Sequence, residues 1–173
     1  MKGASSGVVE QEDVSYNGMD VALRGEKNRF VLPSRFRKPV AISSGPERIL
    51  CLSQHHKWNC LSGFGLSRKK QFAALIKEKV DQQTQLGNDF DIDIYTHSLN
   101  SFAQVPFDPS GRFVLPEYMA EVCGIKDELF LHGAGDHFTV WAPEVFYEMG
   151  PQFNASKAAC RHMLADSRGK GKK

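Results

Sequence analysis

The chain has 173 residues, 41% of them hydrophobic and 24% charged, enough apolar material to bury a core as one domain or as two small packed units, which excludes a compositionally disordered chain. No run approaches the roughly 18 apolar residues of a membrane span, and the opening "MKGASSGVVEQED" holds no apolar stretch long enough for a secretory signal, so a cytoplasmic location is expected. The net charge of +2 hides an asymmetry: residues 14–44 carry six basic residues against Asp20 and Glu26, a net +4, and residues 89–148 carry eleven acids against Arg112 and Lys126, a net −9; the first stretch suits an anionic partner, or the two suit each other.

Residues 1–13, small and acidic, read as a flexible N-terminal extension. In a first unit, residues 14–88, "RFVLP" leads into a short helix, "PSRFRKPVA", then strands "RILCLS" and "KWNCLS", then an amphipathic helix "LSRKKQFAALIKEKV" with Phe72, Leu75, Ile76 and Val80 as its apolar stripe. A second unit, residues 89–150, opens with strand-like alternation in "SFAQVPF". "DPSG" then supplies the preferred residues of a turn, and "RFVL" returns as a strand. Pro116 can open a helix with Met119 and Cys123 on its inner face, and Gly124 can close it in a left-handed cap. "ELFLH" and "FTVWA" are apolar strands joined by the tight "GAGD" turn, and Pro143 opens a further helix, "PEVFYEM". Residues 151–173 hold a last helix, "QFNASKAACRHML", capped by Asn154 or Ser156, and a basic tail, "DSRGKGKK", expected to be disordered.

The two units repeat one pattern. "NRFVLPSRF" and "GRFVLPEYM" lie at an offset of 83, which also pairs Phe36 with Met119, Val40 with Cys123 and Ile42 with Ile125. An offset of 80 then aligns "ILC" with "LFL" and "HKWNCLS" with "DHFTVWA". The fold class expected is α+β, two tandem pseudo-repeated β units with short helices.

"DPSGRFVLP" followed by "GIKDELFLHGAGDHFTVWAPEVFYE" closely resembles the second half of the MraZ proteins, bacterial transcription regulators built from two swapped-hairpin, AbrB-like units. Asp108, Gly111 and Arg112 stand where that family has its Asp-x-x-Gly-Arg turn, and Gly133, Val140 and Trp141 fit its later hairpin. In the first half Gly18, Lys27, Arg29, Pro33, Phe36 and Arg37 fall at the family spacing, while Gly25 replaces the motif's aspartate and Asn28 its glycine. Asparagine tolerates the positive φ of such a turn, but the Asp-to-Arg pairing is lost there. The resemblance covers roughly residues 14–150. It implies a swapped-hairpin fold and a cytoplasmic, nucleoid-associated protein that assembles into a ring-like oligomer. It also implies binding to short direct repeats in the promoter of the division and cell-wall gene cluster, its own gene included.

Double-stranded DNA is met by cations that reach phosphates and by arginines that can fork onto guanine. Arg24, Lys27 and Arg29 surround one turn, and Arg35, Arg37 and Lys38 follow on the short helix, whereas the second unit has Glu117, Tyr118, Ala120 and Glu121 at the matching helix. The first unit is therefore the expected DNA edge, against the plainer reading of ordinary solvated charges. Arg112 has two readings, a structural pair with Asp108 across the Gly111 turn or a DNA contact. Other constellations are weak. The four cysteines form no C-x-x-C pair; Cys51, His55, His56 and Cys60 read as core cysteines flanking a hairpin turn, not a metal cluster. "GAGDHF" joins strands instead of opening a helix, so it is not a dinucleotide fingerprint. Asp136 and His137 resemble a base and its orienter but lack a spaced nucleophile. No cofactor and no catalytic activity are expected. The alternative is a protein-interaction scaffold whose acidic second unit binds a partner, such as a product of the same operon.

Overall fold

The two Arg-Phe-Val segments lie side by side. In the computed structural model, which describes residues 14–170, strands β2 (Arg29–Val31) and β6 (Arg112–Val114) pair antiparallel with Phe30 opposite Phe113. The other strands are β1 (Met19–Leu23), β3 (Ile49–Gln54), β4 (Leu61–Phe64), β5 (Ala103–Pro106), β7 (Glu128–Gly133) and β8 (Phe138–Trp141). They form one antiparallel six-stranded sheet in the order β1-β7-β8-β4-β3-β5. Exchanging the halves (β1 for β5, β2 for β6, β3 for β7, β4 for β8) leaves this order and the ribbon pairing unchanged. The pairing is thus pseudo-twofold, with Phe30–Phe113 in the ribbon and Ser62–Thr139 in the sheet as self-matched pairs.

Three expectations are corrected here. The chain reverses at "DPSG", where Gly111 N–H donates to the Asp108 carbonyl at 2.8 Å, but β6 does not return along β5: β5 pairs with β3, and β6 with β2. Each half supplies an edge strand to the other half's hairpin. Second, the strand expected at "KWNCLS" begins later, at Leu61, and residues 55–60 form a loop. This loop is two residues longer than its counterpart at 134–137, so the registers make Leu50 equivalent to Leu129 (offset 79) and Ser62 equivalent to Thr139 (offset 77), not a uniform 80. A one-residue slip would turn every side chain of β3 to the other face. Third, the last helix runs from Asn154 to Lys170, so most of "DSRGKGKK" is helical, and Ser156 hydrogen-bonds to His132 Nε2 (3.1 Å) instead of capping.

The described residues also form six α-helices, α1 (Ser34–Ser44), α2 (Phe72–Leu86), α3 (Ile92–Asn100), α4 (Glu117–Cys123), α5 (Pro143–Tyr147) and α6 (Asn154–Lys170), and four short 3-10 helices. Residues 1–13 and 171–173, the N-terminal extension and the end of the basic tail, lie outside them. Alternation along β3 and β7 splits the core into two layers. Leu50, Leu52, Leu129 and Leu131 face the ribbon, α1 and α4, where Phe30, Phe113, Phe36, Met119, Val40 and Cys123 are all buried. Cys51 faces Phe64 and Phe72 under α2 and α3, and Phe130 faces Trp141, Phe146, Cys160 and Leu164 under α5 and α6. The Ile42–Ile125 pair breaks the repeat. Gly124 (φ 66) ends α4 and turns Ile125 inward, whereas α1 continues to Ser44 and leaves Ile42 60% exposed. Helix α3, absent from the expected elements, is capped by Asp91, whose carboxylate accepts the N–H groups of Asp93 (3.0 Å) and Ile94 (3.1 Å).

Candidate nucleic-acid interface

Alternation in the β2–β6 ribbon buries Phe30 and Phe113 and turns Arg29, Val31, Arg112 and Val114 outward. Arg29 lies opposite Val114 and Val31 opposite Arg112, so the outer face carries two diagonal arginines and two valines that are 47% and 54% exposed. The ribbon ends in two turns at equivalent positions, the first with Lys27 (φ 56) also left-handed. Gly25 N–H donates to the Arg29 carbonyl (2.7 Å) as Asp108 N–H does to that of Arg112 (3.0 Å), and Asn28 (φ 57) takes the left-handed conformation that Gly111 (φ 87) takes in the second turn.

The arginines differ in how they are held. Asp108 accepts the N–H groups of Ser110 and Arg112 (both 2.9 Å) and the Arg112 Nε–H at 2.7 Å, and these bonds, with the backbone N–H of Arg112 foremost, hold its carboxyl below the usual range. Arg112 is thus oriented from its base while 47% of its side chain stays exposed. With Gly25 in place of the aspartate, the one side-chain hydrogen bond of Arg29 among the described residues is a 3.5 Å contact to the Glu26 carbonyl. Arg37 reaches across from α1 and donates to the Ser110 carbonyl; a Cβ on Gly111 would lie 2.8 Å from Arg37 and from the Leu32 carbonyl. Arg35 packs over Gly18. Lys27 and Lys38 are exposed. Arg24 is engaged elsewhere: it donates to the Lys126 carbonyl, pairs with Asp127 at 3.3 Å, and lies over the Phe30 ring at 5.2 Å. The structure therefore gathers Arg29, Lys27, Arg37 and Arg112 around the ribbon and its turns, and sets Arg24 against the turn before β7.

Cys51 and Cys60 are fully buried, and burial raises both thiols, that of Cys51 to about 11. Among the described residues no group of three or more His, Cys, Asp or Glu is placed to hold a metal ion. Asp136 accepts from His137 Nδ1 at 2.6 Å and pairs with Arg68 at 3.2 Å; the His137 bond, then the Arg68 charge, hold it at about 2. "GAGD" is the β7–β8 turn, with Gly135 (φ 87) bridged to Tyr16. No described helix is long and apolar enough to cross a membrane.

Fold and site together define an α+β protein whose antiparallel sheet carries an outlying two-stranded ribbon with an arginine at each end. No family model matches the chain. The "Transcriptional regulator MraZ" of Caulobacter vibrioides is 30% identical over 121 residues, 69% of this chain and 72% of that protein. The protein of the same name from Phenylobacterium zucineum is 29% identical over 138 residues (79% and 76%), and that of Rhodospirillum rubrum 26% over 139 (77% and 84%). The chain belongs to the MraZ family.

Proposed function

We propose that the protein regulates transcription by binding double-stranded DNA through the outer face of the β2–β6 ribbon and its flanking turns. The observation that carries this reading is the diagonal pair Arg29 and Arg112, set at pseudo-twofold positions on an exposed ribbon with Lys27 and Arg37 at the adjoining turns. A two-stranded ribbon fits the width of a major groove, and arginine can neutralise phosphate or fork onto guanine. Arg35 and Lys38 on α1 extend the basic edge, while Arg24 supports the fold. That the relatives are named transcriptional regulators supports regulation. On this reading each half, residues 14–88 and 89–150, is one AbrB-like unit, and the strand exchange between halves is the tandem swapped hairpin of that superfamily. The operator would be short direct repeats upstream of the division and cell-wall gene cluster, its own gene included, bound at the nucleoid by a ring-like oligomer. Repetition would multiply weak contacts into affinity through effective concentration. The test is titration of the DNA upstream of its own gene against an unrelated duplex: a preference for the first supports the reading, and equal binding at all salt concentrations sinks it.

One observation favours a second reading. Helix α4 exposes Tyr118 (61%) and Val122 (52%), each directly after an acid, Glu117 and Glu121, where the basic α1 has Arg35 and Lys38. This apolar, acidic face suits a protein partner from the same operon. Association that survives nuclease treatment would point to it; association that vanishes would point to DNA.

A further inference from the structure

A cavity of about 340 Å³ opens on the sheet face away from the ribbon, between the 55–60 loop, the β7–β8 turn and the segment leading into α6. Its size is that of a small-molecule site. Trp58, Trp141, Phe146 and Phe153 supply the walls: Trp58 lies 5.9 Å from Trp141 and meets Phe153 edge-on at 5.8 Å. Most polar atoms of the lining are already committed. Trp141 Nε1–H donates to Thr139 Oγ1 (2.8 Å), and the two nitrogens of His132 bond to the Gly133 carbonyl (2.9 Å) and Ser156 Oγ (3.1 Å).

Two imidazoles of the lining are different. His55 Nδ1 accepts the backbone N–H groups of Lys57 and Trp58, both at 3.1 Å, so the ring proton sits on Nε2, which is a donor. The ring is clamped between His56 (4.5 Å) and Trp58 (5.0 Å, 8° between planes). Burial, followed by the neighbouring charges of His56, His137, Lys57 and Arg68, lowers His55 to about 4, so it is neutral near pH 7. His137, 6.0 Å away, is tied through Nδ1–H to the Asp136 carboxylate, which leaves Nε2 as an acceptor in the neutral ring. The aromatic chamber therefore has one fixed donor at its edge, His55 Nε2–H, and beside it His137 Nε2, an acceptor whenever that ring is unprotonated. Lys57 at the same edge disfavours a cation.

We propose that this cavity binds a small, uncharged, planar heteroaromatic molecule whose adjacent acceptor and donor meet His55 Nε2–H and His137 Nε2. The site is independent of the DNA-binding reading. The probe is 2-quinolone, a flat fused ring with a lactam C=O beside N–H, compared with N-methyl-2-quinolone, which lacks the donor, and naphthalene, which lacks both groups. The chain has two tryptophans, and both line the cavity, so their indole N–H signals in ¹⁵N-correlated spectra report occupancy. Saturable shifts of both signals with 2-quinolone are expected, with binding about three- to tenfold weaker for the N-methyl form, the range of one net hydrogen bond. His137→Phe should remove that difference and leave N-methyl-2-quinolone binding unchanged; an unaltered melting curve shows that the variant is folded. No saturable shift in the folded wild-type chain overturns the proposal. Equal binding of naphthalene and 2-quinolone also overturns it, because the polar edge would then select nothing.

Discussion

Arg29→Ala tests the ribbon face with the least structural side effect. The Arg29 guanidinium makes one long side-chain hydrogen bond, 3.5 Å to the Glu26 carbonyl, and its ring-facing neighbour Phe30 is held independently by the core. The substitution should therefore change stability by no more than about 0.5 kcal/mol. The loss in DNA affinity depends on what Arg29 touches. A phosphate contact contributes about 0.9 to the slope of log K against log salt, so the slope should flatten by about that amount, equally for operator and unrelated DNA. A bidentate guanine contact contributes about 1–3 kcal/mol to discrimination, so operator affinity should fall by about five- to 150-fold while the slope changes little. Adding Arg37→Ala should deepen the loss and also loosen the second turn, since Arg37 holds the Ser110 carbonyl. The assay is fluorescence anisotropy on both duplexes at several salt concentrations, with urea unfolding of each variant as the stability control. Unchanged affinity and slope in the folded double variant would remove both arginines from the interface.

Four further outcomes follow from the same geometry. Phe30→Ala and Phe113→Ala, which remove equivalent buried rings 6.2 Å apart, should each cost about 3–5 kcal/mol in urea unfolding; a large inequality would contradict their equivalence. Gly111→Ala forces a side chain into φ 87 against the Leu32 carbonyl and should destabilise by more than about 1 kcal/mol, whereas Asn28→Gly at φ 57 should be near neutral. Ile125→Ala should cost about 2–5 kcal/mol and Ile42→Ala far less, because one is buried and the other exposed. His55 is lowered in the fold to about 4 from an ordinary 6.5, so the unfolded chain binds the extra proton between those values. Stability should be full above pH 6.5 and decline towards pH 4; after allowance for its partial exposure the His55 share of the loss is about 1–2 kcal/mol, and the decline should be shallower by that share in His55→Phe, with the remainder left to His56, which burial also lowers.

The strands were largely legible because alternation and turn residues are local signals, but their partners were not. Asp108, Pro109, Ser110 and Gly111 specify a reversal, and nothing within that stretch shows that Phe113 will bury against Phe30, 83 residues earlier. The choice is made by a shared core, a non-local quantity. The slip in β4 has a readable cause: Gly63 is a strand glycine, and a Cβ there would meet the Phe138 ring at 2.5 Å, so the close approach marks the sheet centre that Trp58 and Asn59 disguised. Asp91 is a local signal for the start of α3, but it stands in a run of acids, Asp89, Asp91 and Asp93, that masks its capping role. Of the candidate site, the Asp108–Arg112 turn could be read from spacing, as could the loss of its aspartate at Gly25. The engagement of Arg24 by Asp127 could not, nor could the aromatic cavity, whose walls come from loop, sheet and C-terminal segment.

The most direct measurement of the central claim is a footprint on the DNA upstream of the protein's own gene, with light scattering on the same sample for the size of the assembly. Regularly spaced short blocks of protection, weakened together by Arg29→Ala with the assembly unchanged, are the predicted result. Absence of protection at protein concentrations that leave the chain folded and assembled would contradict it.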